Sequence, residues 1–212
     1  MTELEQMEVR QEGDAFTVAR NTNEASLEVT LDLGPHRKPR LDTSIAFFDH
    51  MLEMLGWWGD FNVDASFQVK TFRLMHVVTE DTGLAFGKAA AAVIRSRIPE
   101  GVESAGFARA MMDEASADCQ ISFEGRSFAA VERGGAAGLE RVEDMLCVYL
   151  TAFFEGFCQG SRSTVHLDME RGRDPHHAWE AGFRAFARAL RASFQANPWR
   201  AGMTAGVKGT LD

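Results

Sequence analysis

Two short runs, one hundred residues apart, constrain this chain most: His76-Val77-Val78-Thr79-Glu80 and His176-His177-Ala178-Trp179-Glu180. In each, a histidine precedes a glutamate by four positions. Each run heads a helical segment rich in small residues, Thr82 to Ile94 and Ala181 to Phe194. Positions four apart share a helix face, so each pair can converge on one point. Adjacent residues diverge by about 100°, so His177 points away from His176. A lone pair of this kind reads as a surface ion pair. Two copies at corresponding places, one with a doubled histidine, read as an internal duplication.

The pattern along the chain agrees with two similar halves. Ala15 to Ala19 and Ser26 to Leu33 alternate apolar and polar residues, as half-buried strands do. Residues 34–39 form a loop. Phe47 to Trp58 carries apolar residues at helical spacing, Phe61 to Val69 reads as a strand, and Thr79 to Ile94 as a helix beginning near Thr79 or Asp81. Gly83, Ala85, Gly87 and Ala89 to Ala92 invite close approach of another element. Pro99-Glu100-Gly101 breaks the chain. The second half repeats the order: strands Phe107 to Met112 and Ala117 to Phe123, a flexible connection Arg133 to Gly138, a helix Glu140 to Phe157, a strand Thr164 to Met169, and a final helix His176 to Ala196. Trp179, Phe183, Phe186 and Leu190 line that helix's apolar face. The fold class expected is α+β, a duplicated half-domain with each half a sheet covered on one face by two helices. The halves span 15–98 and 99–196, with a tail, 197–212, that contributes to the site. Residues 1–14 are polar and expected to be loose.

Composition narrows the function. An apolar content of 45% supplies a core, and a net charge of −9 argues against a nucleic-acid partner. No run is long enough for a membrane span, and Met1-Thr2-Glu3-Leu4-Glu5 has no leader pattern. The three cysteines form no Cys-x-x-Cys and read as reduced thiols of a cytoplasmic protein.

Of six histidines, five stand in motif-like positions: His50 after Phe47-Phe48-Asp49, His76, His166 on a strand, His176 and His177. With Glu80 and Glu180 they form an imidazole–carboxylate set suited to Mn, Fe, Zn, Co or Ni. Arg126, Arg184 and Lys208 are candidates to hold an anion. In Met112-Asp113-Glu114-Ala115, one carboxylate is a candidate to orient an imidazole.

These runs, together with Glu80-Asp81-Thr82-Gly83, Gly125-Arg126 and Lys208-Gly209, occur in an order that resembles the imidazoleglycerol-phosphate dehydratase family of histidine biosynthesis, over about residues 20–212. The resemblance implies a fold like the second domain of ribosomal protein S5. It implies trimers assembled into a 24-subunit shell, with two Mn²⁺ ions per subunit in active sites between subunits. The implied substrate is a phosphorylated imidazole, dehydrated to imidazole-acetol phosphate. The implied ligands are His50, His76, Glu80, His166, His176, His177 and Glu180. Arg126, Arg184 and Lys208 would contact phosphate, and Glu24 would transfer a proton, with Glu80 and Glu180 as further catalytic positions. Two departures stand out: Val77 replaces a histidine ligand, and Ser104 replaces a phosphate-binding arginine. Three readings follow: a working dehydratase, a divergent homologue with altered substrate, or a non-catalytic metal-binding assembly protein.

Overall fold

The computed structural model describes residues 7–71, 74–206 and 209. In chain order the elements are β1 (Glu8–Glu12), β2 (Ala15–Asn21), β3 (Ala25–Asp32), β4 (Leu41–Asp42), α1 (Ala46–Gly59), β5 (Asn62–Val69), α2 (Met75–Arg97), β6 (Ala105–Met112), β7 (Ala115–Ser122), β8 (Phe128–Glu132), β9 (Arg141–Val142), β10 (Met145–Leu146), α3 (Cys147–Ser161), β11 (Thr164–Arg171) and α4 (Pro175–Ser193). One sheet has the order β1-β2-β3-β5-β4 and the other β6-β7-β11-β8. Apart from β1, the two orders match strand for strand, and in both the last pair, β4 with β5 and β8 with β11, is parallel. The fold is α+β, as the sequence implies.

Period-two patterning decides which sheet faces are covered. Leu27, Val29 and Leu31 of β3, and Val165, Leu167 and Met169 of β11, point inward and are buried. Helices α1 and α2 pack on the first sheet, α3 and α4 on the second. The helices then pack across the halves, α1 on α4 and α2 on α3, and so form the layer between the sheets. Burial of α4's Trp179, Phe183, Phe186 and Leu190 anchors that layer. Each such side chain contributes about 1.5–3 kcal/mol.

The α2–α3 contact is backbone to backbone. A Cβ on Gly83 or Gly87 would lie 2.1 or 2.2 Å from the carbonyls of Phe153 and Phe157. A Cβ on Gly156 or Gly160 would meet those of Glu80 and Leu84 at 2.2 and 2.0 Å. The small residues expected to admit a neighbour do so.

Several local expectations are corrected. Residues 8–12, expected to be loose, form β1 on the free edge of β2. Strand β8 lies just before the connection that starts at Arg133. Helix α2 begins at Met75, because the Thr79 hydroxyl donates back to the carbonyls of Met75 and His76 inside the first turn instead of capping it. Helix α3 begins at Cys147, seven residues later than expected. Glu140 to Leu146 hold a two-stranded hairpin turned through Glu143 at φ 45°. Among the described residues, no helix is long and apolar enough to cross a membrane.

Candidate metal centre

The α1–α4 crossing brings together His50 of the first half with His176 and Glu180 of the second, their ligand atoms within 4.8 Å of one another. His50 Nε2 lies 3.4 Å and His176 Nε2 3.3 Å from the same carboxylate oxygen, Oε2 of Glu180. The two rings are 5.6 Å apart, with Phe47 packed 5.0 Å from His176. Asp174 caps α4 by accepting from His176 N at 2.8 Å, and Pro175 takes the first helical position. That start puts His176 and Glu180 on the face toward α1.

Outer partners hold these ligands. Glu143 Oε1 lies 3.0 Å from His176 Nδ1. The other Glu180 oxygen, Oε1, accepts from the Arg184 guanidinium. That guanidinium also donates to the Met111 carbonyl at 3.0 Å and sits 4.7 Å from the centre of the Trp58 ring. Glu180 is 5% exposed. Burial pushes its carboxyl up, but Arg184 and His50 outweigh that and hold it below its ordinary value. Arg184, expected at the phosphate, is engaged here with Glu180 and Trp58.

His177 diverges from His176 as helical geometry requires. Its Nδ1 meets Glu114 at 2.7 Å. Glu114 also accepts from the backbone of Arg173 and Asp174 at 3.1 Å each. These bonds, His177 first, pull the Glu114 carboxyl down to about 2, and Glu114 in turn raises His177. Glu114 is thus the carboxylate of its run that orients an imidazole.

At the start of α2, His76 Nε2 and Glu80 Oε2 pair at 3.1 Å beside Tyr149 of α3. Helices α1 and α3 end alike, in left-handed caps at Asp60 (φ 53°, ψ 44°) and Arg162 (φ 56°, ψ 42°), each two residues before a strand. Aligned on those caps, His50 corresponds to Ala152, a buried residue. Aligned on their starts, α2 and α4 match His76 with His176, Glu80 with Glu180, and Val77 with His177. So this end of the helix layer has two intrachain donors where the other has three. Ala152 has no sequence signal of its own; only the superposed helix ends reveal it.

His166 is not brought to either end. Its neighbours Val165 and Leu167 point inward, so period two turns His166 to the outer face of the second sheet, 5.9 Å from the Phe128 ring. Glu24 is exposed in the β2–β3 turn and lines a cleft with Lys70, Val77 and Asp81. Arg126 is exposed on the β7–β8 connection. Lys208 lies outside the described residues. Ser104 is buried, its N–H bonded to the Ser193 carbonyl at 2.8 Å.

Fold and site together define a duplicated α+β protein with a histidine–carboxylate ligand set at a helix crossing. The family model of imidazoleglycerol-phosphate dehydratase matches residues 43–190. The chain is 34% identical over 194 residues to the imidazoleglycerol-phosphate dehydratase of a Polaromonas species, covering 92% of each. It is also 34% identical to that of Koribacter versatilis, covering 92% of this chain and 98% of the relative. In three dimensions it resembles the Pyrococcus furiosus dehydratase crystallised with a bound compound, with a TM-score of 0.73 and 25% identity over 90% of this chain and 98% of that one. This chain belongs to the imidazoleglycerol-phosphate dehydratase family, a family of hydro-lyases.

Proposed function

We propose that this chain catalyses the metal-dependent dehydration of imidazoleglycerol phosphate to imidazole-acetol phosphate in histidine biosynthesis. The observation that carries the reading is the convergence of His50, His176 and Glu180 in a chain of this family. Two imidazole nitrogens and one carboxylate oxygen fit a divalent transition metal, with Mn²⁺ the ion proposed. A second ion would draw on His76 and Glu80, and on His177. A cation held at these donors supplies Lewis acidity, which lowers the pKa of an imidazole N–H and stabilises negative charge.

The chain's own residues do the rest. Glu24 lines a cleft with Val77 and Asp81 and is proposed to move the proton. Arg126 and Lys208 are proposed to hold the phosphate. Arg184, bonded to Glu180, is proposed to contact the phosphate as well. The halves 15–98 and 99–196, a tail, 197–212, contributing to the site, trimers building a 24-mer and a cytoplasmic location complete the proposal.

A second reading rests on Val77 and Ala152, which withhold an imidazole at two positions where the other half supplies His177 and His50. It makes this chain a divergent homologue with an altered substrate, or a metal-binding assembly protein without turnover. Titrating metal-stripped protein with Mn²⁺ in the presence of imidazoleglycerol phosphate separates the two. Mn²⁺-dependent product supports the dehydratase. Folded, metal-loaded protein that forms no product at saturating Mn²⁺ sinks it.

A further inference from the structure

The β9–β10 turn touches both helices of the α1–α4 crossing. Asp144 accepts from Ala46 N at 2.9 Å and from Phe47 N at 3.1 Å. Helix α1 has no side-chain cap of its own at Ile45. A turn from the second half therefore satisfies the exposed N–H groups that open the helix carrying His50. The neighbouring residue, Glu143, has φ 45°, a left-handed conformation that non-glycine residues rarely adopt. Its carboxylate meets His176 Nδ1 at 3.0 Å, while the opposite ring nitrogen faces Glu180 at 3.3 Å.

We propose that this turn is the positioning element of the metal centre. Glu143 accepts the Nδ1 proton of His176 and so keeps the Nε2 lone pair aimed at the ion, and Asp144 sets the start of α1 and with it His50. A carboxylate on the far nitrogen of a ligating imidazole fixes its tautomer and ring angle and raises its basicity. The alternative is an exposed ion pair of little consequence, since the Glu143 side chain is 57% exposed. Geometry separates them: Glu143 meets the ring nitrogen of His176 opposite the one facing Glu180, and the same turn, through Asp144, bonds the start of the helix that carries His50. Glu143 is a positioning residue, and the inference rests on the metal reading of His50, His176 and Glu180.

The test uses the full chain with Glu143→Ala, Glu143→Gln and, as a control for surface charge, the exposed neighbour Glu140→Ala. Mn²⁺ affinity is read by competition with a chromophoric chelator and by the electron paramagnetic resonance of free Mn²⁺. Folding is read as Tm in excess chelator. Glu143→Ala should weaken Mn²⁺ binding about 10–100-fold, with the chelator Tm within about 4 °C of wild type, the span an exposed ion pair accounts for. Glu143→Gln, which keeps an acceptor but no charge, should fall between, and Glu140→Ala should match wild type. Wild-type affinity in Glu143→Ala, or equal weakening in Glu140→Ala, overturns the proposal and leaves the metal reading intact. A wild-type protein that takes up no Mn²⁺ overturns both.

Discussion

At the α1–α4 crossing, His50 of one half meets His176 and Glu180 of the other, and a turn, an arginine and an indole brace them. At the α2–α3 crossing, the equivalent His76 and Glu80 meet Tyr149, with Ala152 buried beneath. There the helices touch through four glycines. The same architecture gathers three candidate donors at one end, and two donors beside a close glycine-mediated helix contact at the other. Fold alone therefore does not place a metal site; the side chains at the crossing do.

The largest effect that would sharpen this contrast is expected from Glu180→Ala. Arg184, whose side chain is 16% exposed, would lose its carboxylate. Breaking such a pair from one side costs about 3–5 kcal/mol, so Tm should fall steeply and Mn²⁺ uptake with it; the matching Glu80→Ala should cost much less. Next, His50→Ala should abolish the rise in Tm that Mn²⁺ gives the wild type, while His76→Ala keeps most of it. Saturation a hundredfold above Kd corresponds to about 2.7 kcal/mol of such stabilisation. If His76→Ala removes it equally, the two ends are not unequal in the way described.

Packing should show the reverse order. Gly83→Ala forces a Cβ to 2.1 Å from a carbonyl and should cost about 1–3 kcal/mol in chemical denaturation. Gly182→Ala in α4 meets only the side-chain ends of Leu167 at 3.5 Å and Met169 at 3.7 Å, ordinary contact distances, and should be neutral or slightly stabilising. The smallest effect is in pH dependence. The Glu114 carboxyl stands at about 2 against an ordinary 4.5, so its contribution is present above pH 4.5 and fades as pH falls toward 2. His177, raised above 6.5, contributes fully below that value and fades as pH rises through its folded pKa. Glu114→Gln should flatten the pH profile of Tm at both edges of that window.

Much of this was legible in the sequence. Helical spacing of Trp179, Phe183, Phe186 and Leu190, and the repeated His-x-x-x-Glu, reveal the duplication and one ligand face. Small residues in α2 announce a tight neighbour. What stayed hidden depended on contacts far along the chain. Val142, Met145 and Leu146 extend the apolar pattern of α3, so a helix from Glu140 looks natural. It is broken by Asp144, which bonds to Ala46, 98 residues away. Strand β1 is exposed throughout and carries no alternation, because only its pairing with β2 makes it a strand. Which face His166 takes follows from period two: with Val165 and Leu167 inward, it stands on the outer face of the second sheet.

The crosswise pairing of helices also sets an order in time. His50 and Glu180 are 130 residues apart. At about 5–20 residues per second of synthesis, roughly 7–26 s separate their appearance. Through that interval α1 exists without α4, and no ion can be gripped across the crossing. Assembly of the three candidate donors is thus a late event of the chain's biogenesis, and a chain released before its last helix carries only His50 of that group and an uncovered apolar flank for quality control to find.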